Sequence, residues 1–128
     1  MNVDRDLVGP NYEFGLRFQV SVPESRERFR ELVELDGTKV KDRKPLDTGS
    51  VFAGLTGFDP EDRRPAVYFR HSKSGVWILV VGSKPLSKFN FWAVKTTACP
   101  EPFHALTLKP GEGTEWEWRY HRRHSAEW

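Results

Sequence analysis

The segment Cys99-Pro100-Glu101-Pro102-Phe103-His104 gathers a thiol, a carboxylate and an imidazole into one short stretch. Two prolines bracket Glu101, remove two backbone donors and fix the neighbouring φ angles. A carboxylate held on so rigid a bend, with His104 close by, suits a general base or an acceptor for sugar hydroxyls. The same residue can equally cap a turn or pair with an arginine. Cys99 becomes a nucleophile only beside a base and an orienting group. His104 is near in sequence, but no Asn or Asp orienter is evident, so Cys99 reads as structural.

The remaining imidazoles offer less. His71 follows Arg70 at the start of a Ser72–Gly75 turn and is expected to be exposed. His121 and His124 stand three apart near the C-terminus without a third ligand, so no metal site is expected. Flat rings stack on the apolar faces of sugars, and Trp77, Trp92, Trp116 and Trp118 provide them. Alternating rings on strands are normally core, and two or three of these four are expected to be buried. Arg119-Tyr120-His121-Arg122-Arg123-His124 is a basic, aromatic patch of the kind that stacks on single-stranded nucleic acid. It is short and its charge is balanced by Glu112, Glu115 and Glu117. Neither phosphate-binding glycine pattern, G-x-x-x-x-G-K-[ST] or G-x-G-x-x-G, occurs.

The composition narrows the classes further. Twenty Lys and Arg against eighteen Asp and Glu leave a net charge of +2, which gives no global pull toward nucleic acid or an anionic membrane. Neither partner is expected. The longest apolar run, Val76 to Val81, is too short to span a bilayer, and the first residues carry no secretory pattern. The lone cysteine fits a reducing compartment, so a cytoplasmic location is expected. With 128 residues, ten Gly and nine Pro, a single domain is expected and an all-helical one is disfavoured.

These groups need a scaffold, and hydrophobic periodicity supplies one. Phe14, Leu16, Phe18 and Val20 alternate with polar residues, predicting a strand over 13–20. Ser21-Val22-Pro23-Glu24 has capping-box spacing, and Phe29, Leu32 and Val33 then follow at helical intervals, predicting one helix over 23–35 that stops at Asp36-Gly37. Residues 38–49 and 59–65 read as exposed polar loops, with a short strand at Val51–Leu55 between them. Further strands are predicted at 66–71, 76–82, 89–95, 103–108 and 114–121, the first two joined by a hairpin. The expected fold is mainly β, an antiparallel β-sandwich with one short helix. Residues 1–10 and 122–128 are expected as a flexible start and tail.

In this order Phe91-Trp92, Cys99-Pro100-Glu101-Pro102, Leu108-Lys109-Pro110-Gly111-Glu112 and Trp116-Glu117-Trp118 resemble the C-terminal part of aldose 1-epimerase (galactose mutarotase-like) proteins. The likeness covers 45–120 loosely and 89–120 best. It implies part of a galactose mutarotase-like supersandwich, a small carbohydrate as ligand, anomer interconversion as the reaction, and no cofactor. Glu101 matches the position of the family's base, which accepts the anomeric hydroxyl proton. The family's acid histidine lies in an Asn-His-x-Tyr-Phe-Asn-Leu type motif that this chain lacks; Asn11-Tyr12-Glu13-Phe14 has no histidine. The catalytic candidates are therefore Glu101 and His104, and the substrate-binding candidates His71, Trp92 and Arg70. A non-catalytic β-sandwich module that docks a protein through its loops is the alternative. Part of a supersandwich leaves sheet edges uncovered, so a homodimer is expected.

Overall fold

A computed structural model describes residues 12–22, 27–44, 46 and 49–124. Nine strands and one short helix form an antiparallel β-sandwich among them. The strands are β1 (Tyr12–Leu16), β2 (Val33–Asp36), β3 (Lys39–Asp42), β4 (Val51–Leu55), β5 (Ala66–His71), β6 (Val76–Gly82), β7 (Lys88–Val94), β8 (Thr97–Phe103) and β9 (Trp118–His124). The helix α1 spans Glu27–Leu32. A six-stranded sheet runs β2-β3-β1-β5-β6-β9, and a three-stranded sheet runs β4-β7-β8.

Period-2 alternation drives the packing. Phe14, Leu16, Val40, Val67 and Phe69 point inward from the large sheet and Val51, Ala53, Leu55, Phe89 and Phe91 from the small one. The two inner faces meet where Phe14 stacks on Phe91 with centroids 4.7 Å apart. Phe29 of α1 meets the same ring edge-on at 6.3 Å. Helix and small sheet together therefore cover one end and the middle of the large sheet.

Several elements differ from their sequence signals, each for a local reason. The strand expected over 13–20 stops at Leu16, because the chain leaves the large sheet and bridges at Ser21 to Thr56 beside β4. Phe18 and Val20 still pack on the core, but from this crossing segment. The Ser21 hydroxyl lies 2.8 Å from that of Thr56, so it serves the bridge rather than a helix cap. Residues 23–26, the expected start of the helix, lie outside the described residues. The helix ends at Leu32, and Val33 opens β2, where Val33 and Leu35 face inward. Asp36-Gly37 is the turn of a β2–β3 hairpin, with Asp36 paired to Lys39. An Asp-Gly pair between alternating residues is a hairpin signal as much as a helix stop. Lys39–Asp42, read as loop, is β3; its lysines look outward while Val40 and Asp42 are buried.

The largest correction concerns the proline segment. Thr97–Phe103 is itself strand β8, and residues 104–108, expected as strand, are not. A proline has no N–H to give, so a strand with two of them survives only at a sheet edge, where one side needs no partner. β8 is such an edge, paired to β7 alone. The last strand also starts later than expected, at Trp118, and residues 122–124, expected in the tail, pair with Val76–Ile78. Residues 1–10 and 125–128 lie outside the described residues.

One loop position tests the close contact where the chain crosses between sheets. At Gly57 (φ +108°) a Cβ would stand 1.9 Å from the backbone oxygen of Gln19, whereas at Gly111 (φ +84°) nothing lies within 4 Å. Both alanine variants carry the strain of positive φ, on the order of 1 kcal/mol. Only Gly57→Ala adds a collision with main chain, so urea unfolding should show it about 2 kcal/mol less stable than Gly111→Ala. Equal stabilities would mean that the Gln19–Gly57 approach is absent in solution.

Candidate functional site

The sheets are unequal, and the site follows from that. Three strands and a helix cannot roof six strands, so beyond β8 the inner faces of β6 and β9 are left open. The opening is a cleft of about 410 Å³ between β8 and the large sheet. Val67, Phe69, Ile78 and Val80 form its floor, Trp118 and Tyr120 supply rings from β9, and Cys99 to Pro102 make the opposite wall. Register explains the row: Gly82 pairs with Trp118 and Val80 with Tyr120. A strand that tried to fill the cleft would have to pair with β8, whose prolines withhold donors from the ladder. The cleft is closed to strand addition there and open to a small molecule.

Glu101 stands at the lip. Pro100 and Pro102 pair with the core residues Phe91 and Phe89, whereas Glu101 pairs with Asn90 and so belongs to the opposite pleat. Its strand lines the cleft, and its side chain belongs to the outer face of the small sheet. Among the described residues no ion pair or hydrogen bond engages its carboxylate. Neither the arginine partner nor the turn-capping role is present there.

The other candidates divide. Trp92 shares the outer face with Glu101, one register row away, paired with Phe52 and Cys99. His104 is half-buried and stacks on Trp118, centroids 5.2 Å apart, so it backs the cleft wall instead of lining it. Its Nδ1 lies 2.7 Å from the Pro85 carbonyl oxygen. A carbonyl only accepts, so Nδ1 carries a proton. In the neutral ring Nε2 is then a bare acceptor, buried without a partner among the described residues. A ring in that state positions Trp118 and has no proton to give at Nε2.

His71 and Arg70 are elsewhere. The expectation that His71 is exposed is wrong: it is 7% exposed, because β5 turns Val67, Phe69 and His71 alike toward the core. Its Nδ1 accepts the Ser74 backbone N–H at 3.3 Å and lies 2.8 Å from the Ser74 hydroxyl, closing the β5–β6 turn. Arg70 is on the outer face of the large sheet, 3.8 Å from Glu13. Beside them burial pushes the Tyr68 hydroxyl pKa upward, with Glu13 adding to the rise and Arg70 opposing it. None of the four tryptophans weighed from sequence is fully buried, and Trp116 is 50% exposed. A two-layer sandwich hides only inner faces, and Trp77 and Trp92 occupy outer ones, where a large ring half-covers itself on neighbours.

Sequence reasoning missed Asn90, Phe52 and Phe103. The signal was the alternation Phe89-Asn90-Phe91-Trp92, which assigns Asn90 and Trp92 to one face once Phe89 and Phe91 are core. No helix among the described residues is long and apolar enough to cross a membrane. The fold and cleft define an antiparallel β-sandwich domain with one open, ring-lined groove. No family model, curated protein or solved structure matches the chain.

Proposed function

We propose that this is a carbohydrate-recognising domain, related to aldose 1-epimerases through the Cys99–Pro102 and Leu108–Glu112 segments, which binds a sugar in the β8–β9 cleft. The observation that carries this reading is a concave groove with Trp118 and Tyr120 on one side and, on the β8 edge that walls it, Glu101, whose carboxylate has no ion pair or hydrogen bond among the described residues. Rings cover the C–H faces of a sugar, and a carboxylate accepts from its hydroxyls, the usual division between apolar walls and a few aimed polar groups. If anomers are interconverted, Glu101 takes the O1 proton, the ring opens, and an acid must protonate the ring oxygen. His104 holds its proton toward Pro85, away from that task. Binding without turnover is therefore the form the geometry supports best. No cofactor enters the scheme, and a chain whose lone cysteine is Cys99 suits the cytoplasm.

A saturation-transfer NMR screen of monosaccharides tests the reading. Transfer to at least one neutral hexose is expected. Tyr120 is 71% exposed, so Tyr120→Ala leaves the fold intact. Loss of one ring contact, worth about 1 kcal/mol, should weaken that binding about fivefold. Silence from every hexose at millimolar concentration removes the proposal.

A further inference from the structure

We infer that the outer face of the small sheet is a second carbohydrate subsite, so that the ligand is an oligosaccharide bound around the β8 edge rather than a single sugar. The inference rests on the carbohydrate reading of the cleft. Its own observations lie on the other side of β8.

Three adjacent register rows of this face carry the site, with Val94 and Thr97 beyond them. Phe52, Trp92 and Cys99 form the first row, Gly54, Asn90 and Glu101 the second, and Lys88 and Phe103 the third. A polar stripe thus runs between two rows of rings. Phe52 is 43% exposed and Phe103 40%, and Lys88 Nζ sits 5.0 Å from the Phe103 ring centroid. Gly54 places no side chain on the stripe and leaves a depression at its β4 end. Across three strands the stripe extends about 10 Å, given the usual strand spacing. That is the reach of two linked hexoses.

Asn90 points to a ligand. It is 5% exposed, and its Oδ1 has no hydrogen-bond partner among the described residues. That oxygen lies over Gly54, 3.8 Å from where a Cβ would be. An amide oxygen buried without a partner is destabilising, and a donor delivered from outside relieves it. A sugar hydroxyl is such a donor, and it can also accept from Lys88 or donate to Glu101. The face holds one cation and one anion beside its rings, which matches a neutral glycan. An apolar protein surface laid here would bury the amide, the amine and the carboxylate with nothing to bond them. β8 is both the wall of the cleft and the last strand of this face. A chain of sugars that leaves the cleft past Glu101 therefore meets the stripe directly.

Calorimetric titration of the full chain with glucose, galactose and mannose, and with their linear 1,4-linked tetramers, tests the inference. At least one tetramer should bind tenfold or more tightly than its own monomer. Phe52→Ala/Phe103→Ala, which removes two exposed rings and leaves the core untouched, should return that tetramer to the affinity of the monomer and leave the monomer unchanged. A tetramer that binds no better than its monomer overturns the subsite and leaves the cleft reading standing. So does an advantage that survives the double variant. Failure of every sugar, monomer and tetramer alike, overturns both.

Discussion

Phe91→Ala should remove about 3–5 kcal/mol of stability, a large part of the roughly 5–15 kcal/mol that holds a domain of this size together. Phe91 is 1% exposed and stands where the two sheets and the helix converge. It stacks on Phe14 at 4.7 Å and receives Phe29 edge-on at 6.3 Å. Truncation takes away the transfer free energy of a full ring. It also leaves a cavity between two hydrogen-bonded sheets that cannot close on it, so the two costs add. Phe52→Ala is the matched control: the same chemical change on β4, at a ring 43% exposed on the outer face, should cost about 1 kcal/mol or less. Urea melts of the three proteins decide the matter. A loss below about 1 kcal/mol at Phe91 would contradict the sandwich itself, because that ring is where its two inner faces meet.

Glu101→Gln should lower sugar affinity about ten- to a hundredfold while the melting temperature stays within a degree or two. The substitution keeps the shape of the side chain and removes its charge. A hydrogen bond to a charged acceptor is worth about 1.5–3 kcal/mol, which is the stated range of affinity. Stability should hold because no ion pair or hydrogen bond among the described residues depends on the carboxylate. The strand also keeps its pairing with Asn90 through backbone groups that the change does not touch. The opposite pattern, a lower melting temperature with unchanged titration, would make Glu101 a structural group and end its role in recognition.

The local grammar of this chain was readable without a structure. Alternation alone placed β5 and β6 at their observed limits and identified Phe14 and Leu16 as core residues. The helical spacing of Phe29 and Leu32 held through the one short helix. Each of these signals acts within a few residues, and burial of one face is enough to set it. What misled was also local: Asp36-Gly37 ends a helix or turns a hairpin by the same left-handed geometry, and two prolines bend a loop or finish a sheet edge by the same missing donors.

Tertiary pairing decided the rest. That β8 is an edge, and that its prolines are therefore tolerated in a strand, depends on β8 having no second neighbour beyond β7. The cleft exists because six strands face three, a mismatch that no single segment encodes. Glu101 was singled out by its flanking prolines, but its company was not. The register with β7 puts it beside Asn90 and Trp92, while β5 carries His71 and Arg70 to other faces. A one-residue slip in that register would move every side chain of β8 to the opposite face. Sequence specifies which residues alternate; only the packed sheets specify which of the two sides is water.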